Sequence, residues 1–255
     1  MTSFNEQLKK ISIKEVLFLI VLSYVMVFIL KFFNVIEIDT GIVNVIVILF
    51  FAFKLRNYIS EMKSDFTNVF SVVSFKEILI IVVLNIFFSY GMLYLSNSLI
   101  HLIPTNNYLS FLIPTKSITT GLIGIFSLIS VVLFSPIAEE LVFRGMFLNK
   151  LGLVVPTVFA ILISALLFAS LHSFGSIISA FVFGICMALL YLKTDNILVP
   201  ILAHFLNNLI GETIYHLDYQ QLIFTNGFAM ALMSILAIVS FIVILRFISS
   251  DLKNI

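Results

Sequence analysis

Charge is what this sequence has least of. Only 11% of its 255 residues are Asp, Glu, Lys or Arg, against about a quarter in an ordinary soluble domain. So few charges cannot clothe a water-facing surface, and 61% of the residues are hydrophobic, with a mean hydropathy of +1.19. Most of the outer surface therefore faces lipid. Cysteine is nearly absent as well. The single Cys186 excludes an intrachain disulfide and a cysteine-type zinc site, and its apolar surroundings fit a small core residue. A net charge of +1 removes any reason to expect a nucleic-acid partner. Proline and glycine are scarce, at 5 and 10 residues, and no low-complexity stretch interrupts the chain, which points to one compact domain.

What is present is apolar runs. A helix needs about 20 residues to cross the hydrocarbon layer, and the runs predict an all-α, polytopic bundle of about eight transmembrane helices. They lie near 14–34, 40–55, 77–100, 118–149, 155–172, 175–192, 196–215 and 227–248. The first follows Lys9, Lys10 and Lys14 and lacks a small-residue cleavage site, so it reads as an uncleaved helix. The fourth is long and contains Pro136, which predicts a kink or break. If the N-terminus is cytosolic, Lys9, Lys10, Lys14, Lys54, Arg56, Lys63, Lys76, Lys150, Lys193, Arg246 and Lys253 all fall inside. Only Lys116 falls outside, with Lys31 near the outer edge. That asymmetry predicts both termini in the cytosol. Residues 57–75 mix charges with Phe and Val and read as an amphipathic segment on the cytosolic surface.

Against this background a few polar residues stand out. Glu139, Glu140 and Arg144 occur together in Ser135-Pro-Ile-Ala-Glu-Glu-Leu-Val-Phe-Arg144 after a long charge-poor stretch. Each such group costs about 2.5–3.5 kcal/mol at the middle of a membrane helix. Glu140 and Arg144 are four apart, share a helix face and can pair. Glu139 points about 100° away and is left to face a cavity. A buried ion pair that merely fixes helix packing would explain Glu140 and Arg144 but not Glu139. His172 and His204 each appear in an otherwise apolar run, and Asn208 shares the His204 face. Glu212 continues that stripe near the helix end and reads as an interfacial charge. Counting the rise per residue from the nearest cytosolic turn places Glu139, His172 and His204 within the span of one cavity, entered from the cytosolic side.

Peptide hydrolysis needs a nucleophile, a base and donors for the oxyanion. No serine sits in a nucleophile motif, and neither Gly-x-Gly-Asp nor His-Glu-x-x-His occurs, which leaves water as the nucleophile. Glu139, with His172 opposite, could hold and deprotonate it. His204 and Asn208 could donate to the tetrahedral intermediate. Glu139, His172 and His204 also form a three-ligand set with an open fourth position for Zn2+-bound water. Metal-activated and glutamate-activated water both fit these residue types.

The three motifs, taken in order, resemble one family: the CAAX proteases and bacteriocin-processing enzymes, also called CPBP or Abi proteins. Its pattern is Glu-Glu-x-x-x-Arg, then Phe-x-x-x-His, then His-x-x-x-Asn. The chain has Glu139-Glu140-x-x-x-Arg144, Phe168-x-x-x-His172 and His204-x-x-x-Asn208. The resemblance covers residues 117–212, and the first three helices match nothing specific. It implies an intramembrane endopeptidase. In that pattern Glu139 and His172 activate water, Glu140 and Arg144 orient the site, and His204 with Asn208 stabilises the oxyanion. Members are commonly labelled metalloproteases, although a metal-free mechanism has been argued for the prenyl-protein branch. Ala188 and Asp195 stand where glycine is frequent in the family, which bears on local packing.

The expected organisation is therefore N-terminal helices over 1–116, a catalytic core over 117–216 and a C-terminal helix and tail over 217–255. The expected partners are a peptide or protein substrate and membrane lipids, in the plasma membrane of a bacterium. Bacterial relatives link such proteins to bacteriocin maturation, self-immunity and peptide-signal processing. A non-catalytic membrane immunity or scaffold protein that binds a bacteriocin or a transporter is the alternative, and a proton carrier using the buried glutamates is a third.

Overall fold

The computed structural model describes residues 3–33, 40–72, 75–101, 121–218 and 222–253. Among these the chain is all-helical, with no strand. This follows from the solvent: where water cannot satisfy backbone N–H and C=O groups, a helix satisfies them within one segment. The expected boundary at 116/117 lies outside the described residues.

Five helices are long and apolar enough to cross a membrane: Ile13–Phe32, Phe75–Ser96, Gly124–Leu151, Phe174–Thr194 and Gly227–Leu252. A sixth joins if Gly41–Lys54 and Arg56–Met62, bent by 66° at their junction, count as one broken span. That is fewer than the eight expected, and the remaining two have definite reasons. Thr157–Ala169 is apolar but only 13 residues long. Leu198–Leu217 has the length, at 20 residues, but carries His204, Asn207, Asn208 and Glu212, which lower its hydropathy.

Cross-contacts order the helix ends. Lys193 pairs with Glu77 at 2.7 Å and lies 3.7 Å from Asp251. Asn149 Nδ2 donates to the Tyr191 hydroxyl at 2.8 Å, Lys54 pairs with Glu15 at 2.6 Å, and Asn5 donates to the Asp195 carbonyl. The lysine-bearing ends thus gather at one end of the bundle, together with both the first and the last described helices. At the opposite end, Ser96 Oγ meets the Gly175 carbonyl at 3.5 Å and the Tyr94 hydroxyl donates to the Ile223 carbonyl at 2.8 Å. The core sits around Phe174–Thr194, of which 72% is buried within protein.

Pro136 does not break its helix. Gly124–Leu151 runs through as one span, with π-helical stretches at Ser130–Phe134 and Leu141–Leu148 on either side of the glutamates. The first of these absorbs the proline. Ser135 N donates back to the Ser130 carbonyl, and in that i−5 register the Val131 carbonyl would look to residue 136, which has no N–H. Side chains satisfy other carbonyls of this span: Ser164 Oγ donates to Phe143 O and Asn149 Nδ2 to Gly145 O, both at 2.8 Å.

The two departures from the family's glycines resolve differently. Asp195 is the left-handed C-cap of Ile177–Thr194, at φ 47° and ψ 35°, with its N–H on the Tyr191 carbonyl. Glycine is favoured there because it carries no Cβ, and aspartate is one of the residues that tolerate the conformation. Ala188 is wholly buried and is accommodated in the core.

Candidate active site

Glu139 and Glu140 diverge as the helical geometry requires. Glu140 points into the protein, where neither it nor Arg144 is exposed at all. Its Oε1 accepts from Arg144 Nη1 at 2.9 Å and from His204 Nδ1 at 2.8 Å. Arg144 is fixed from three further directions. Nη2 donates to the Gly184 carbonyl at 3.1 Å, the guanidinium lies 4.5 Å from the centre of the Phe168 ring, and Gly184 leaves the room it needs. A Cβ on Gly184 would stand 3.1 Å from Ala165 and 3.3 Å from Arg144 Nη2. A side chain at position 184 would crowd both the ion pair and Ala165.

Glu139 faces the other way, into a cavity of about 450 Å³. Its Oε1 accepts from Ser135 Oγ, one turn earlier, and its Oε2 lies 3.9 Å from His204 Nε2. The imidazole of His204 is thus strung between the glutamates. A carboxylate can only accept, so Nδ1 carries the proton toward Glu140 and Nε2 is turned to Glu139. The rings of Phe168 and Phe183 hold it edge-on, with centroids at 5.6 and 5.3 Å.

His172 lines the same cavity. It was expected at the end of a helix over 155–172, but the helix ends at Ala169 and His172 sits in the turn beyond. Its Nδ1 lies 3.1 Å from the Phe168 carbonyl, which can only accept, so Nε2 is left free. The Phe168 ring packs 4.7 Å from the His172 ring. One buried phenylalanine therefore spaces both histidines and the arginine, which explains why a phenylalanine four residues before the histidine belongs to the motif.

Asn208 also lines the cavity. Its Nδ2 donates at 2.9 Å to the Val131 carbonyl that Pro136 cannot serve. All six expected site residues thus come together: Glu139, His172, His204 and Asn208 around the cavity, Glu140 and Arg144 behind it. Sequence reasoning missed Ser135, Asn207, Gly184 and Asn85. Ser135 and Asn207 line the cavity, and Asn85 donates to Asn207. Asn85 carried a legible signal, as an amide in the apolar run Ile78–Phe88.

Among the described residues no group of three or more His, Cys, Asp and Glu side chains is gathered as metal ligands. His204 Nδ1 is engaged with Glu140, which leaves its Nε2 toward Glu139, and a carboxylate behind the ring in this way also orients imidazoles that bind a metal. The direction of the cavity differs from the expected one. Its lining continues along Asn207, Gly211, Glu212 and Tyr215 to Asp218 and Phe224, away from Lys76, Lys150 and Lys193. At the lysine end, Leu8 is fully buried, within 3.3 Å of where a Cβ on Gly145 would stand. The approach expected from the cytosolic side is thus filled by packed side chains. Glu212, expected as an interfacial charge, lines the cavity and lies 3.7 Å from His216.

Residues 120–210 match the family of type II CAAX prenyl endopeptidases described as Rce1-like. The likeness covers that segment of the chain. The segment contains Glu139, Glu140, Arg144, Phe168, His172, His204 and Asn208, and the likeness supports protease activity on a peptide or protein substrate at the general level of that family. The apolar helices agree with a multi-pass membrane protein. No curated protein and no solved structure matches the chain.

Proposed function

We propose that the protein is an intramembrane endopeptidase in which Glu139 activates water against a peptide carbonyl. One observation carries this reading. The two adjacent glutamates occupy opposite environments, Glu140 buried with its Oε1 bound by Arg144 and His204, and Glu139 turned to a cavity shared with His172, His204 and Asn208.

The chemistry follows from those positions. Glu139 Oε2 and His204 Nε2, at 3.9 Å, are too far apart to bond directly and close enough for one water to touch both. Glu139, with His172 across the cavity, accepts a proton from that water as its oxygen attacks the carbonyl carbon. The new oxyanion takes a hydrogen bond from the second Nδ2–H of Asn208, and His204 Nε2 supports it when protonated. Glu139 then returns the proton to the leaving amine, the C–N bond breaks, and acid and amine are released. Glu140 and Arg144 hold the His204 ring at its angle and are positioning residues. The 2-to-1 sharing of Glu140 Oε1 between Arg144 and His204 is what frees Glu139 for the proton.

In this reading the substrate enters from the ends at Tyr215, Asp218 and Phe224, opposite the lysine-rich ends. Under the positive-inside rule that is the non-cytosolic face of a bacterial plasma membrane. Maturation of exported peptides, including bacteriocins, and self-immunity by degrading them fit a cavity so directed. An immunity or scaffold protein that only binds would have no need for the freed carboxylate.

The test uses the purified full chain in detergent with a mixture of quenched fluorescent peptides. Glu139→Gln and His172→Ala are each expected to lower cleavage by about 10²–10⁴-fold, with the thermal unfolding midpoint unchanged. Wild-type rates in Glu139→Gln would sink the proposal. Loss of cleavage on chelation, restored by Zn2+, would show that a metal takes part; cleavage that chelation leaves unchanged would show that Glu139 activates water without one.

A further inference from the structure

Beyond the matched segment, one polar group reaches the site from the N-terminal helices. Asn85 lies on Phe75–His101, outside residues 120–210, and only 4% of it is exposed. Its Nδ2 donates to Asn207 Oδ1 at 2.9 Å. Asn207 Nδ2 donates to Asn208 Oδ1 at 3.3 Å, and Asn208 Nδ2 donates to the Val131 carbonyl at 2.9 Å. The three amides form one chain across three helices, and every bond runs in the same sense. A backbone carbonyl can only accept, so the Val131 end sets that sense for all three.

We propose that Asn85 is a positioning residue for hydrolysis, holding Asn207 so that the Asn207–Asn208 pair presents N–H groups and not oxygens to the cavity. The inference rests on the hydrolase reading above. Asn207 lines the cavity, and its Oδ1 is engaged by Asn85. Without that donor, Asn207 can rotate and bring an acceptor oxygen beside the developing oxyanion. Asn208 Oδ1 would lose its partner in the same movement, loosening the amide that supplies the oxyanion bond. Such a change raises the barrier and leaves substrate binding nearly intact, because the oxyanion exists only in the transition state.

A packing role explains Asn85 poorly. Its Oδ1 is buried without a hydrogen-bond partner, a cost that a leucine of similar size would avoid. A polar side chain kept in a membrane helix with half its hydrogen-bonding capacity unused is better accounted for by what its other half holds in place.

The experiment compares Asn85→Leu, Asn207→Leu, the double variant and Asn85→Gln with wild type and Glu139→Gln, using the full chain and the same peptide mixture. Asn85→Leu should lower kcat roughly tenfold, less than the about 10²–10³-fold of losing an oxyanion donor outright, with KM within about twofold. The double variant should be no slower than Asn207→Leu, since both cut one chain. Asn85→Gln, which keeps the donor, should recover part of the loss. If Asn85→Leu fails to fold, Asn207→Leu, on the cavity wall, should still show the kcat loss with KM preserved. Wild-type kcat in either folded variant, or losses that multiply in the double variant, would overturn the inference. A preparation in which wild type cleaves nothing that Glu139→Gln does not would instead overturn the hydrolase reading beneath it.

Discussion

Phe174–Thr194 and Gly227–Leu252 both pass for membrane spans, yet 72% of the first is buried within protein and only 17% of the second. Composition alone does not explain the difference, since the second helix also carries small residues, among them Ala229, Ala231, Ser234, Ala237 and Ser240. The buried helix carries Ser179, Ala180, Gly184, Cys186 and Ala188, small residues that let neighbouring backbones approach. The peripheral helix shows Phe228, Ile235 and Ile238 outward, each at least 60% exposed by the protein itself. Lipid is as apolar as a protein core, so hydropathy does not separate the two. A polar anchor does, the Gly184 carbonyl that receives Arg144.

The comparison can be pressed hardest at the arginines. Arg144→Ala leaves Glu140 charged and buried beside one histidine, and should cost about 3–5 kcal/mol. Arg246→Ala, on the exposed face of the peripheral helix, should shift stability by less than about 0.5 kcal/mol. Denaturant unfolding in matched detergent reads both, and equal effects would erase the distinction. Next in size, Gly184→Ala forces a Cβ to within 3.1 Å of Ala165 and should cost about 1–3 kcal/mol. It should also slow cleavage, because Arg144 must give way. Ile238→Ala, facing outward, should leave both quantities nearly unchanged; a loss there as large as at Gly184 would mean that the outer face packs against something. The smallest effect lies at the C-caps. Asp195→Gly relieves a left-handed aspartate and should stabilise by about 1 kcal/mol. Lys253, at φ −75°, caps the peripheral helix without strain, so Lys253→Gly should bring no gain. Thermal midpoints of the two variants decide this.

Much of the candidate site was legible beforehand because charge in a membrane helix is expensive. Glu139, Glu140, Arg144, His172, His204 and Asn208 stood out against apolar runs, and helical spacing alone foretold that Glu140 and Arg144 pair. What escaped was whatever depended on a partner from another helix. Asn207 adjoined a motif asparagine and drew no notice, while Asn85 was one amide in a long apolar stretch. Their significance is a bond between them, spanning 122 positions of chain. Pro136 misled in a related way. Its missing N–H announces a disturbance, but whether the helix breaks or widens into a π turn depends on which side chain takes the stranded carbonyl.

Composition and periodicity by themselves determined that the chain is a membrane helix bundle and which polar residues it shelters, since both follow from transfer costs paid residue by residue. Only the tertiary structure decided which glutamate is bound by Arg144 and which faces the cavity, which nitrogen of His204 faces the cavity, and toward which end the cavity runs. Those outcomes depend on neighbours brought together by folding: a carbonyl from one helix, a ring from another and an amide from a third, none of which is adjacent in sequence.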